Sequence, residues 1–96
     1  MIRSFGNRTA EALFHGLMLK EVRAFPPELR RKAERKLDLG NNAHRLDDLR
    51  LPSGNRLEAL CGEFVGAYSI RVNDQWRVVF RWDGTDAHEV SVVDYH

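Results

Sequence analysis

Ser69-Ile70-Arg71-Val72-Asn73-Asp74-Gln75-Trp76-Arg77-Val78-Val79-Phe80-Arg81-Trp82 alternates apolar and cationic side chains with a period close to two. Side chains on a strand point to opposite faces in turn, so the pattern predicts a hairpin with two chemically distinct sides. Tyr68, Ile70 and Val72 share a face of the first arm, and Ser69, Arg71 and Asn73 share the other. On the second arm Trp76, Val78, Phe80 and Trp82 oppose Arg77, Val79 and Arg81. The apolar set is expected to pack on helices and the arginine face to be open. With Asn73-Asp74-Gln75 as a three-residue loop, Arg71 and Arg77 stand directly opposite each other. Opposed like charges cost on the order of tenths of a kcal/mol. Either an anion sits between them, or Glu58, Glu63 or Asp94 neutralises them, or solvent does.

Outward from the hairpin, Asp83-Gly84 signals a second turn, and a last strand follows over 89–95. Further strands are expected over 2–5, 58–61, 67–72 and 76–82. A first helix covers 9–15, with Thr9 as N-cap and a stop near Gly16. Pro26 and Pro27 suit the first turn of a second helix. That helix carries Leu29, Ala33 and Leu37 as an apolar stripe opposite its cations and ends at Gly40-Asn41-Asn42. In the segment 43–57, Leu46, Leu49 and Leu51 are expected to point inward, and Pro52-Ser53-Gly54-Asn55 to turn the chain. The order β-α-α-β-β-β-β predicts an α+β fold, with two N-terminal helices on one face of a mostly antiparallel sheet.

The 96 residues suit one domain, 1–96. An apolar content of 43% argues against disorder. The lone Cys61 excludes an intramolecular disulfide and suits a reducing, cytoplasmic setting. No run approaches a membrane span, and Met1-Ile2-Arg3-Ser4-Phe5 reads as a strand, not a signal peptide. The net charge of +1 says little about partners. Between Lys20 and Lys36, however, seven cations face three glutamates. Such a stripe fits nucleic acid or an acidic partner, or a solvated helix face.

The chain finishes on Val92-Val93-Asp94-Tyr95-His96. Guanidinium groups stabilise negative charge but do not act as bases, whereas a histidine near its ordinary pKa takes or gives a proton. Arginines beside Tyr95 and His96 would therefore suit RNA cleavage through the substrate's own 2′-hydroxyl, with no cofactor or metal needed. By composition alone a frayed C-terminus is the plainer reading of His96. His15, His44, His88 and His96 lack metal-ligand spacing, and Cys61 reads as a half-buried strand residue. No glycine-rich phosphate loop is present. Arg56, after the Ser53-Gly54-Asn55 turn, is placed to reach the rim of the arginine face.

Met1-Ile2-Arg3-Ser4-Phe5, Gly54-Asn55-Arg56-Leu57-Glu58, the block from Ser69 to Arg77 and Asp94-Tyr95-His96 resemble HigB-type toxins of the RelE/ParE superfamily. The resemblance implies a microbial-RNase-like fold and ribosome-dependent cleavage of messenger RNA in the A site. It also implies neutralisation by a HigA-type helix-turn-helix antitoxin, and operator DNA bound through the toxin–antitoxin complex. The family's terminal Tyr-His maps onto Tyr95 and His96, and its arginine after tryptophan onto Arg77. Some members carry His and Lys where this chain has Glu58 and Cys61, and an arginine where it has Asn73. Arg71 then replaces that arginine, and Glu58 joins Arg71, Arg77, Tyr95 and His96 as a catalytic candidate. Arg56, Asn73 and Arg81 are RNA-binding candidates. A ParE-like DNA gyrase inhibitor and a non-catalytic binding module acting through Arg30 and Arg31 are the alternatives.

Overall fold

The computed structural model describes residues 1–94, so Tyr95 and His96 lie outside the described residues. The fold is α+β. Helices α1 (Arg8–His15), α2 (Lys20–Ala24) and α3 (Arg30–Asn42) precede strands β1 (Glu58–Ala59), β2 (Ala67–Arg71), β3 (Trp76–Asp83) and β4 (Asp86–Asp94). The strands form one antiparallel sheet in the order β1-β2-β3-β4. The hairpin closes as its sequence predicts, with Val72 N donating to Trp76 O at 2.9 Å and Arg71 paired to Arg77.

Alternation sorts the faces. Ile70, Val72, Val78 and Phe80 are buried with Leu13, Val22, Phe25, Ala33 and Leu37 from the helices. Each of these side chains larger than alanine contributes roughly 1.5–3 kcal/mol of transfer free energy. Phe25 also meets Trp76 edge-on at 4.7 Å. Helix α2 is not foreseen in the sequence, because five residues with one buried position, Val22, are too short to show a helical period. Leu49 is buried as expected, but Leu51 is 73% exposed. Beyond the short 3₁₀ turn at Leu46–Arg50 the chain is extended, and Leu51 falls on its outer side.

Asn7, not Thr9, caps α1, its Oδ1 accepting from Ala10 N at 3.0 Å. The same oxygen accepts from Val92 N at 3.3 Å, and Nδ2 donates to Val92 O at 2.9 Å. One amide therefore ends a helix and serves as strand partner to β4. Upstream of it, residues 1–6 run parallel to β4: Arg3 N donates to Ala87 O and Gly6 N to Val90 O, both at 2.8 Å. This strip covers an edge that would otherwise offer free backbone groups for pairing. Gly6 permits the close approach, since a Cβ there would lie 2.8 Å from Glu89 O. Asp86 anchors the strip, and hydrogen bonds from Arg3 and the Met1 amine hold its carboxyl below the usual range.

Asn7→Ala is expected to cost about 2–3 kcal/mol in urea denaturation, from a lost cap and two unpaired Val92 groups. Asn7→Ser, which caps without reaching Val92, should recover about 1 kcal/mol of that. Among the described residues no helix is long and apolar enough to cross a membrane.

Candidate active site

The sheet face turned away from the helices carries Arg71, Arg77 and Arg81, each with a carboxylate. Arg71 bonds Asp74. Arg77 lies 3.5 Å from Glu58 and Arg81 2.9 Å from Glu89. The opposed arginine pair is thus present but balanced, by Glu58 as one reading of the sequence allows and by Asp74, which that reading did not include. Nor is the face as open as expected. The Arg77 side chain is 13% exposed and that of Arg71 27%, because neighbouring strands and carboxylates crowd them. Arg77 also donates to Ser69 Oγ at 3.4 Å, a long bond to a fully buried hydroxyl.

Glu58 reaches this face because β1 pairs it with Ser69, whose other cross-strand neighbour, Val79, is two residues from Arg77. Ahead of β1, Arg56 takes a left-handed conformation (φ 46°), uncommon for a residue with a side chain. Its charge, with that of Arg71, helps hold the Asp74 carboxyl below its usual range, after the hydrogen bond from Arg71 itself. Arg56 therefore belongs to the same end of the hairpin as Arg71. Asn73 is engaged differently: its Oδ1 accepts from Gln75 N at 3.0 Å and Trp76 N at 2.7 Å, so that oxygen shapes the turn. Cys61 is exposed, since β1 ends at Ala59 and a 3₁₀ turn, Gly62–Phe64, follows.

An open groove of about 660 Å³ crosses this face, lined by Glu58, Cys61, Phe64, Val79, Val93 and Asp94 among others. Arg77 stands between two of these, ion-paired to Glu58 and cross-strand from Val93. Asp94 lines the groove and accepts from Gln75 Nε2 at 2.9 Å. Tyr95 and His96, the expected proton-transfer pair, lie outside the described residues. Among the described residues no cluster of His, Cys, Asp and Glu is arranged to hold a metal ion. Phe64 escaped sequence reasoning, and Ser69 was placed on the arginine face without a role. The only hint of Phe64 was an aromatic between two turn glycines, Gly62 and Gly66.

Residues 9–96 match the model of a family described as RelE-like toxin of type II toxin-antitoxin system HigB. The chain belongs to the HigB-like toxin family. This HigB-like chain is similar to Toxin HigB-1 of Vibrio cholerae serotype O1, with 43% identity over 63 residues covering 66% of each protein. It is also similar to a Haemophilus influenzae protein, with 34% identity over 65 residues, 68% of this chain and 64% of that one. The HigB-like chain thus matches slightly under two thirds of either relative's length. Two crystal structures of YafQ from E. coli, one of them a mutant, share its fold with TM-scores of 0.68 and 0.62. Identity to both is 14%, over 99% of this chain and 92% of theirs. The α+β, RelE-like architecture of this HigB-family toxin domain follows.

Proposed function

We propose that the chain is the toxin of a type II toxin–antitoxin system and cleaves messenger RNA in the ribosomal A site. The observation that carries this reading is the Arg71–Arg77 pair, held in direct register beside a groove that Glu58 lines. In the proposed reaction the 2′-oxygen bonds to the adjacent phosphorus and the bond to the 5′-oxygen breaks. A 2′,3′-cyclic phosphate and a 5′-hydroxyl result. The 2′-hydroxyl proton passes to a base and a proton is delivered to the departing oxygen. Arg71 and Arg77 stabilise the phosphorane charge. The proton transfers fall to Glu58, Tyr95 and His96, with Arg56 and Arg81 holding flanking RNA. The balancing carboxylates Asp74 and Glu58 are exposed enough to yield to phosphate at little cost.

The same reading makes the partners the ribosome with its messenger RNA and a HigA-type helix-turn-helix antitoxin, which carries the complex to operator DNA. Inducing the chain alone should arrest growth and yield codon-phased cuts in messenger RNA while translation proceeds, and none once translation is blocked. Growth arrest with intact messenger RNA and accumulating DNA breaks would instead place the chain with gyrase poisons that share the fold.

A further inference from the structure

Phe64 is the aromatic side chain that the groove leaves unexplained. It is 54% exposed, beside Val65 at 67%, and lies on the short turn between β1 and β2. It lines the 660 Å³ groove and also a second hollow of about 480 Å³, which holds Arg81 and Glu89. Val79 and Ser91 are common to both hollows, so the two are continuous across the sheet with Phe64 at their junction.

The turn is also braced. Gly62 and Gly66 both take left-handed conformations (φ 68° and 95°), which set the loop's bends. Arg81 passes beneath it and donates from Nη1 to Val65 O at 3.2 Å. A Cβ at Gly66 would come within 3.2 Å of that same Nη1. Arg77 and Arg81 lie on one face of β3, roughly 13 Å apart at ~3.3 Å per residue. Glu89 is 64% exposed and can swing into solvent, while Glu58, 50% exposed, can release Arg77 and still line the groove.

We infer that Phe64 is a stacking platform for a nucleobase of single-stranded RNA, dividing the groove into two nucleotide subsites whose phosphates meet Arg77 and Arg81. The inference rests on the RNA-cleaving reading above and adds a substrate-contacting residue to it. An aromatic face accepts any base, whereas flanking guanidiniums fix where the backbone runs. The occupant is RNA because an exposed ring lining a groove, on a sheet face that carries two guanidiniums, suits a base together with its backbone phosphates.

The test uses the full chain and a 2′-O-methyl trinucleotide, which cannot be cleaved, alongside the same trinucleotide with its central base removed. Phe64→Ala should weaken binding of the intact trinucleotide about tenfold. Phe64→Trp should restore it and Phe64→Leu should not. The abasic trinucleotide should bind wild type and Phe64→Ala alike. On translating ribosomes Phe64→Ala should raise KM or shift the cut-site preference more than it lowers kcat. Equal binding by wild type and Phe64→Ala, or full rescue by leucine, would overturn the platform while leaving the nuclease reading intact. Loss of a protein partner's binding with trinucleotide binding unchanged would overturn it too. If wild type neither binds the trinucleotide nor cuts messenger RNA, the underlying reading falls with it.

Discussion

Arg77→Ala is expected to lower the rate of messenger RNA cleavage on translating ribosomes by about 10²–10³-fold, the usual loss when one preorganised donor to a transition-state anion is removed. Arg77 is the most enclosed of the three arginines on the groove face, and enclosure strengthens its interaction with developing charge. Its orientation is set by Glu58 at 3.5 Å and Ser69 Oγ at 3.4 Å, so it needs little rearrangement to meet a phosphate. The variant should still fold, because Glu58 is 50% exposed and water replaces its partner. A stability loss of about 1 kcal/mol, or about 4–8 °C in melting temperature, is expected from the lost packing. Arg77→Lys keeps the charge without the planar fork and should recover only part of the rate. A folded Arg77→Ala that cleaves within tenfold of wild type would remove this arginine from the reaction.

The largest stability effect is expected at Asn55, which the sequence offered only as a turn residue and part of a family-like block. Lys36, on α3, is 9% exposed and donates to Asn55 Oδ1. Asn55 is fully buried and its Nδ2 donates to Leu49 O at 3.2 Å and Leu51 O at 3.3 Å. The pair ties α3 to the loop that leads through Arg56 to Glu58 at the groove. Asn55→Ala strands a buried ammonium and two carbonyls, at a cost of about 3 kcal/mol in urea denaturation. Lys36→Met combined with Asn55→Ala should cost less than the two changes summed, because the stranded charge is gone.

Lys36 also predicts a pH dependence. Burial, followed by the charges of Lys32, Arg35 and Arg71, holds its pKa below the ordinary lysine value of 10.5. Between that depressed value and 10.5 the native state binds fewer protons than the unfolded chain, so stability rises with pH through the window. Below the window the penalty for burying the charge is present in full. Asn55→Ala lowers the native pKa further, and the rise should begin at lower pH. Denaturation series from neutral to alkaline pH should show the gap between Lys36→Met and wild type changing across this window. A constant gap would mean that Lys36 is not titrating against its burial.

Much of the fold was legible because it rests on local regularities. The period of two from Ser69 to Trp82 set both faces of the hairpin, and a three-residue loop sufficed to bring Arg71 opposite Arg77. Ala33 and Leu37 of the expected stripe announced α3, but Leu29 and Pro27 fall in a separate 3₁₀ turn, Pro27–Leu29, ahead of it. The helix's cationic side was misjudged at Lys36, which turns inward to Asn55. Of the site residues, Arg71, Arg77 and Glu58 come together as their positions suggested.

The remainder depends on partners far apart along the chain, and no local pattern encodes those. Asn7 caps α1 and clasps β4 across 85 residues, a pairing that exists only once the N-terminal strip lies along the sheet edge. The carboxylate beside each arginine is chosen by strand register and side-chain reach, so the face is balanced, not bare. Phe64 becomes a groove-lining aromatic only where a glycine-bounded turn is braced by Arg81 from another strand. Periodicity reports which way a side chain points. What it meets is settled when separate segments pack and each buried polar group must find an acceptor or donor within about 3 Å.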